Sequence, residues 1–224
     1  MQMTIDLAPI SRSDLPQLMA WRNDWRILAW TRQADLLNEV EHADWFERQA
    51  RDLATRMYKL VLRASGATTD VGVCGLTSID YRHSRAEFSL YVAPQFQGKG
   101  IGRHALAVLL AHGFMNLGLN LIWGETFDGN RATKTFEALG MKREGTRRSF
   151  YWKDGKRIDA HLYSITRDEW HGLSNSDPGP PRSQPSASDG GLAAVPIQHK
   201  GRKGAAGRVE APPEPEPPEG PRAA

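Results

Sequence analysis

The chain has 224 residues, and its 29 lysines and arginines against 26 aspartates and glutamates give a net charge of +3. So small a charge does not indicate a nucleic-acid-binding protein, and the single cysteine, Cys74, excludes an internal disulfide framework. Because the sequence has no charged leader ahead of an apolar stretch and no apolar run of about 18 residues, we expect a cytoplasmic protein without a membrane partner.

Composition divides the chain into two parts. Residues 1–173 hold all seven tryptophans and are predicted to form one domain of ordinary size. Residues 174–224 hold 11 of the 14 prolines and no aromatic residue, so they cannot bury enough apolar surface to offset the entropy of ordering. We therefore predict a disordered tail rich in Pro, Gly and Ala.

The first half of the domain is predicted to contain three strands and two helices. The spacing of Leu15, Leu18 and Met19 indicates one helix. Asn38, followed three residues later by Glu41, has the pattern of a capping box that begins another. The strands are predicted over residues 4–8, 57–63 and 71–79, with a loop over 65–70.

A glycine-rich turn follows the next strand. Apolar and polar residues alternate over Ala86–Val92, which predicts a half-buried strand, and the apolar spacing after Gly102 predicts a helix that ends at Gly118. Between the two the sequence reads Q-F-Q-G-K-G-I-G. Such a turn directs several N–H groups toward one point beside the positive end of the helix dipole. The pattern therefore predicts a phosphate site.

The spacing of the glycines excludes two other phosphate-binding motifs. Arg103 stands where the dinucleotide fingerprint needs its third glycine. The Lys-Ser/Thr pair that completes a P-loop is also missing. The spacing fits Q-x-x-G-x-G instead, and the alternative is a glycine-rich turn that binds no ligand.

A strand, a helix and a hairpin complete the predicted order. The hairpin is centred on Asp154-Gly155, a strong signal for a tight turn between two strands. The remaining elements are predicted over residues 121–127 (strand), 131–139 (helix), 147–152 and 157–165 (strands). The complete order is β-α-α-β-β-β-α-β-α-β-β.

The glycine turn carries a resemblance to a known family. Gln97, Gly100 and Gly102 fit Q-x-x-G-x-G, which resembles the pyrophosphate-binding motif of the GNAT superfamily of acyl-CoA-dependent N-acetyltransferases. The order of elements is also similar to that of its domain, from Thr4 to about Trp170. The resemblance implies an α+β fold, with a central twisted mixed sheet of about seven strands flanked by about four helices.

Further segments resemble one branch of that family. Trp21-Arg22-Asn23-Asp24, Glu144-Gly145 and the closing residues 165–170 are similar to the acetyltransferase of pseudaminic-acid biosynthesis. They also resemble ribosomal-protein N-terminal and spermidine acetyltransferases. The resemblance implies acetyl transfer to a primary amine such as a nucleotide-linked amino sugar, with a protein N-terminus or a polyamine as alternatives. A non-catalytic CoA-binding module of the same fold, with the tail as its interaction arm, is the alternative from another class.

The resemblance also implies a site for acetyl-CoA as cosubstrate. The implied binding residues lie at the end of the strand, in the turn, at the start of the helix and farther along the chain: Tyr91, Val92, Ala93, Gln97, Gly98, Lys99, Gly100, Ile101, Gly102, Arg103 and Asn130. Asn130 is equally suited to begin a helix as its N-cap. No metal is expected, because the seven histidines lack metal-ligand spacing and Cys74 has no partner cysteine.

Glu87 is the candidate catalytic base. In this branch a strand glutamate often precedes the loop that leads into the helix, and such a carboxylate could take the proton of the amine. Glu125, in the next strand, is the competing carboxylate. The alternative for Glu87 is a solvent-facing glutamate paired with Arg82 or Arg85.

The proton donor for the leaving thiolate is left open. Many GNAT enzymes have a tyrosine where this chain has Phe136, which carries no hydroxyl. Tyr151, Tyr163 and water remain as alternatives.

Two aromatic groups have roles that the sequence does not decide. His42, beside Trp45, is predicted either to line the amine pocket or, as an ordinary helix histidine, to lie on the surface. Phe150, Tyr151 and Trp152 are expected either to close over the substrate or to form the surface of a homodimer.

Overall fold

A computed structural model describes residues 3–176 of the chain. The predicted tail lies outside the described residues from position 177 onward, and the domain boundary after residue 173 stays a prediction. Seven strands form one sheet: β1 Thr4–Pro9, β2 Arg56–Ala64, β3 Ala67–Asp80, β4 Arg85–Val92, β5 Leu121–Phe127, β6 Lys142–Lys153 and β7 Lys156–Thr166. Their order across the sheet is β1-β2-β3-β4-β5-β7-β6.

Six α-helices accompany the sheet within the described residues. They are α1 Leu15–Arg22, α2 Trp25–Leu28, α3 Glu39–Arg51, α4 Ile101–Ala111, α5 Ala132–Ala138 and α6 Arg167–Ser176. The predicted fold class, a mixed sheet of about seven strands, is confirmed. The helix count is higher than the expected four because the one-turn α2 and the closing α6 carry too few apolar repeats to be read from spacing.

Local capping and turn chemistry set several of these boundaries. The Asn38 side chain accepts from the Glu41 N–H at 2.9 Å and the Glu41 carboxylate accepts from the Asn38 N–H at 3.2 Å, so the capping box that begins α3 is confirmed. Asp154 and Gly155 both have positive φ and close the β6–β7 hairpin as predicted. The predicted loop over 65–70 is wrong, because β3 begins at Ala67 after a two-residue turn.

Each face of the sheet buries its own apolar cluster. The larger cluster packs α4 against the sheet and includes Leu106, Leu76 and Ile122. The smaller one packs α1 and α2 on the other face, with Leu18 and Ile27 over Val73 on β3. We call the face under α1 and α2 the α1 face. Alternation along each strand then decides which side chains can meet there.

The strands β4 and β5 separate soon after they begin. They are the one parallel pair of the described sheet, and they pair only over three residues, from Arg85–Leu121 to Glu87–Trp123. Beyond Glu87 the edge of β4 therefore has no strand beside it. The ring of Phe88 lies over Gly124, where an added Cβ would come within 2.3 Å of the ring. A glycine is needed there for the aromatic ring to fit.

Candidate active site

The glycine turn is a backbone cradle at the start of α4. Gly98 has φ +74° and Gly100 has φ +78°, a conformation that residues with a Cβ rarely adopt. A Cβ on either residue would point into open space. The amides of Ile101 and Gly102 belong to the first helical turn and have no intrahelical acceptor, so they point out of the N-terminus of α4 toward that space.

The side chains around the turn support its backbone more than they add positive charge to it. Gln97 donates from Nε2 to the carbonyl oxygen of Val92 at 3.1 Å, which ties the turn to the end of β4. The Lys99 ammonium lies 5.4 Å from the centre of the Phe96 ring. Arg103 donates from Nη2 to the carbonyl oxygen of Ala138 over a long distance, 3.5 Å, so its guanidinium is nearly free.

The end of β4 offers backbone groups on one side only. The Ala93 N–H donates to the carbonyl oxygen of Val71 at 2.8 Å, so that donor is used inside the sheet. The backbone N–H and C=O groups of successive residues point to opposite edges of a strand. Those of Tyr91 therefore also point toward β3, whereas those of Val92 point toward the open edge. The Tyr91 side chain is half-buried on the α1 face, where burial raises the pKa of its phenol and Arg22 lies 5.8 Å from the ring centre.

Glu87 is buried and paired, in a way that the sequence did not indicate. It is 7% exposed and projects from β4 on the α1 face. Its Oε1 accepts from Nη2 of Arg32, which lies 55 positions earlier in the chain. The expectation of a pair with Arg82 or Arg85 is therefore wrong, and Arg85 instead pairs with Asp80. Within residues 3–176 the second oxygen of Glu87, Oε2, has no hydrogen-bond partner.

Glu125 lies in the same cluster, with both oxygens engaged. Its Oε2 accepts from Nη1 of Arg147 at 3.0 Å and its Oε1 accepts from the Tyr151 hydroxyl. The Nε of Arg32 lies 3.7 Å from Oε1. Burial, and then the bond to Glu125, raise the pKa of Tyr151 to about 12. Although burial lowers the pKa of Arg32, the charge of Glu87 raises it, and the net direction is up.

The segment that carries Arg32 is held from two sides. On one side Lys153, at the tip of β6, donates to the carbonyl oxygens of Gln33 at 2.6 Å and Thr31 at 3.2 Å. On the other side Arg22 donates to Oε1 of Gln33 at 2.8 Å. Asn23 completes this support by bonding the backbone of Leu37 as donor and acceptor, each at 2.8 Å. The Trp21–Asp24 motif thus positions Arg32 over Glu87.

A cleft of about 440 Å³ is lined in part by Phe127, whose ring centre lies 5.1 Å from that of Tyr151, and by Lys153. Its apolar walls are Trp30, Phe127 and Ile158, and Lys153 lies at its border. Its other charged residues are Asp128, Asp154, Asp159, Lys156 and Arg157, so it holds three cations and three carboxylates in total. The formal charges of the cleft therefore balance, and it has room for a small molecule.

The other proposed residues lie in α5 or contact it. Phe136 is 5% exposed and packs edge-on against Phe88 at 5.2 Å and Tyr163 at 5.4 Å, so it is a core residue. The Tyr163 hydroxyl donates to Glu137 at 3.2 Å, and burial raises the pKa of its phenol. Asn130 accepts the Ala132 N–H at 2.9 Å and so caps the start of α5.

His42 is buried, so the expectation of a surface histidine is wrong. It is 5% exposed and stacks on Trp45 with ring centres 5.1 Å apart. Its Nε2 is the one buried side-chain nitrogen or oxygen among the described residues without a hydrogen-bond partner.

In the described part of the chain no three His, Cys, Asp or Glu side chains are grouped as metal ligands. None of the helices within residues 3–176 is long and apolar enough to cross a membrane.

The site thus combines a backbone cradle, an open strand edge and a carboxylate with one free oxygen. Sequence reasoning named the cradle and Glu87, and it named Glu125 as the competitor. It missed Arg32 and Arg147, which are the partners of those carboxylates. The only available signal was the Trp21–Asp24 motif, whose role in holding the Arg32 segment depends on contacts far apart in the chain.

A family described as an acetyltransferase (GNAT) domain matches residues 5–142, which is more than half of the chain.

Individual relatives agree with this match. Spermidine N(1)-acetyltransferase of Escherichia coli (strain K12) is 24% identical over 185 residues, covering 82% of this chain and 97% of that protein. YdaF of Bacillus subtilis (strain 168), named provisionally as a ribosomal N-acetyltransferase, is 30% identical over 143 residues, covering 62% and 74%. A crystal structure of spermidine N-acetyltransferase from Vibrio cholerae, in complex with CoA and spermine, superposes with a TM-score of 0.69 at 24% identity. It covers 76% of this chain and 98% of that one, which shows a shared fold.

Proposed function

The chain belongs to the GNAT family of acetyltransferases, acyltransferases whose cosubstrate is acetyl-CoA, and from that premise we propose that it acetylates a primary amine beside Glu87. The observation that carries this proposal is the free Oε2 of the buried Glu87, next to the gap between β4 and β5. By comparison, both oxygens of Glu125 are already bonded. Glu87 is therefore the carboxylate with capacity to accept a proton.

The glycine turn fits the diphosphate of CoA. The backbone of Gln97, Gly98, Lys99, Gly100, Ile101, Gly102 and Arg103 surrounds the open space at the start of α4. Backbone N–H groups at a helix N-terminus bind phosphate oxygens well, and no side chain blocks their approach. The pantetheine arm would follow the open edge of β4 at Val92, between Tyr91 and Ala93, with the amide of Asn130 facing it from the start of α5.

The residues of the cluster then have separate roles. When bound, acetyl-CoA supplies the acyl group as a thioester. Glu87 takes a proton from the ammonium form of the amine, which frees the nitrogen lone pair to form the C–N bond as the C–S bond of the thioester breaks. The second proton of the nitrogen passes through solvent to the leaving thiolate. Tyr151 and Tyr163 both donate to carboxylates, and both have raised pKa values. Water is therefore the better donor to the leaving thiolate, in agreement with the absence of a hydroxyl on Phe136.

The relatives suggest which amines to test. Spermidine is the amine named by the Escherichia coli relative, and a ribosomal-protein N-terminus is suggested by YdaF. The segment Trp21–Asp24 supports an amino sugar linked to a nucleotide. The cytoplasmic location and the homodimer expected from the sequence stay predictions.

Replacing Glu87 by Gln tests the proposal. The amide keeps the shape of the carboxylate but cannot take a proton, so turnover should fall by about 10²-fold while CoA affinity is kept. The defect should shrink as the pH approaches the pKa of the amine, because solvent then removes the proton. The measurement is thiol release from acetyl-CoA over a panel of amines and pH values, with CoA affinity measured by calorimetry.

The Glu125→Gln variant is the matched comparison. It removes the acceptor of Arg147 and Tyr151, so we expect a smaller loss that does not recover with pH. If Glu87→Gln keeps most of the activity at neutral pH while Glu125→Gln loses it, the two roles are reversed. A protein that binds CoA but releases no thiol with any amine of the panel would contradict the acetyltransferase proposal.

A further inference from the structure

The charges around Glu87 sum to zero before any substrate arrives. Arg32 and Arg147 carry two positive charges, and Glu87 and Glu125 carry two negative ones. The carboxylates are almost fully enclosed, with side chains 9% and 4% exposed, whereas the side chain of Arg32 is 54% exposed. The side chain of Arg147 is 40% exposed, so the cluster is open to solvent through both of its cations.

An incoming amine disturbs this balance. It arrives as an ammonium ion and competes with Arg32 for Glu87, so that two cations share one carboxylate. When the proton then passes to Glu87, the negative charge that faces Arg32 disappears. In both stages Arg32 lacks a full counter-charge in a partly dehydrated site, where like charges repel strongly.

An anionic group on the substrate removes the difficulty at both stages. The guanidinium of Arg32 uses Nη2 for Glu87 and places Nε near Glu125, and no partner within residues 3–176 takes Nη1. A guanidinium can bind two oxygens of one carboxylate or phosphate at once. More than half of the Arg32 side chain is exposed, so an anionic group can reach it from solvent.

Resting on the proposed acetyltransferase function, we propose that the amine acceptor carries a carboxylate or phosphate group and that Arg32 binds it. Arg32 is then the residue that selects acceptors by charge. A polyamine fits this site poorly, because its further ammonium groups need unpaired carboxylates and both carboxylates beside Arg32 are matched by arginines. The 440 Å³ cleft has three charges of each sign, so it favours neither an anionic acceptor nor a polyamine.

Three four-carbon amines that differ only in the charge of the far end test this proposal. They are 4-aminobutyrate, butylamine and 1,4-diaminobutane, titrated by calorimetry into the full-length protein saturated with CoA, where no turnover occurs. We expect 4-aminobutyrate to bind about 10-fold more tightly than butylamine, and 1,4-diaminobutane to bind no more tightly than butylamine. Comparing 4-aminobutyrate with 3-aminopropylphosphonate then distinguishes a carboxylate from a phosphate-like group.

Variants at one position and a matched control connect the preference to Arg32. Arg32→Gln should reduce the ratio of the two affinities to within about 2-fold, and Arg32→Lys should keep part of it because the charge remains. Arg85→Gln is the control, since the side chain of Arg85 is also 54% exposed and pairs with Asp80 outside the cluster. Thermal unfolding shows whether each variant is folded, and Arg32→Lys serves if the glutamine variant is not.

The outcomes separate this inference from the proposed function. Equal or tighter binding of butylamine or 1,4-diaminobutane, no binding of any of the three, or an unchanged preference in Arg32→Gln would overturn the role of Arg32. If thiol release proceeds well with spermidine in the same protein, the acetyltransferase proposal stands and the anionic acceptor is wrong. If 4-aminobutyrate binds preferentially but no amine releases thiol, the anion site stands and the proposed reaction falls.

Discussion

At the scale of single residues, His42 is a buried polar side chain with an unsatisfied ring nitrogen. Its ring stacks on Trp45 with planes 8° apart, and its Nε2 is enclosed without a partner. Burial, and then the nearby charge of Arg22, lower the pKa of His42. The folded protein therefore keeps this imidazole neutral at pH values where the unfolded chain would protonate it.

This arrangement gives a prediction about pH. Below about pH 6.5 the unfolded chain binds a proton at His42 that the folded chain does not, so stability should fall as the pH falls from there through the lowered pKa. His42→Phe keeps the stacked ring and removes the proton site. We expect it to change the unfolding free energy at pH 7 by less than about 1 kcal/mol and to reduce the loss between about pH 7 and pH 5.

The measurement is the urea midpoint at each pH. His83→Phe, on an exposed turn, is the control for introducing an apolar ring away from the stack with Trp45. Part of the slope should remain in the His42 variant, because burial also lowers the pKa of His112. An unchanged slope would contradict the assignment.

At the scale of elements, the sequence predicts what depends on neighbouring residues. Alternation predicts β4, glycine spacing predicts the turn, and Asp154-Gly155 predicts the last hairpin, because each signal is complete within about ten residues. The segment between Asn23 and Asn38 has no such period, so α2 and the position of Arg32 were missed. Its conformation comes from contacts with Arg22, Asn23 and Lys153, the last of which lies 120 positions away in the chain.

The glycine turn leads to a prediction at this scale. Gly100→Ala places a methyl group in the open space where the proposed diphosphate lies, so CoA affinity should fall by at least about 10-fold. Gly66→Ala is a matched control, because Gly66 has φ +79° against +78° for Gly100 and also faces open space. The free energy of unfolding should fall by about 1–2 kcal/mol in both variants, because alanine disfavours a positive φ. Calorimetry with CoA and thermal unfolding separate affinity from strain, and equal CoA affinity in the two variants would contradict the site.

At the scale of the whole molecule, the two apolar clusters belong to opposite faces of one sheet. The cluster under α4 includes strands from β1 to β7, whereas the one under α1 and α2 centres on Val73. Composition could predict that a core of this kind lies before residue 174, because all the tryptophans are there. It could not predict which faces the helices cover, since that depends on strand order.

The residues beyond α6 are predicted to be dispensable for the fold. Removing residues 177–224 should leave the melting temperature and CoA affinity unaltered, because that composition cannot form a core. The comparison is between the full chain and the chain that ends at Ser176, by thermal unfolding and calorimetry. A fall of several degrees would correspond to about 1 kcal/mol and would show that these residues contribute to the fold.

The brief pairing of β4 with β5 has a mechanical consequence. Three residue pairs join one antiparallel group of strands, β1 to β4, to another, β5 to β7. Arg32 and Lys153 cross the same junction with side chains, by reaching Glu87, Glu125 and the backbone of Thr31. A ligand that draws Arg32 away from Glu87 therefore also removes a polar contact across this junction, and leaves the apolar cluster under α4 to hold the two groups together. Occupation of the site and polar contact across the sheet are thus coupled through Arg32.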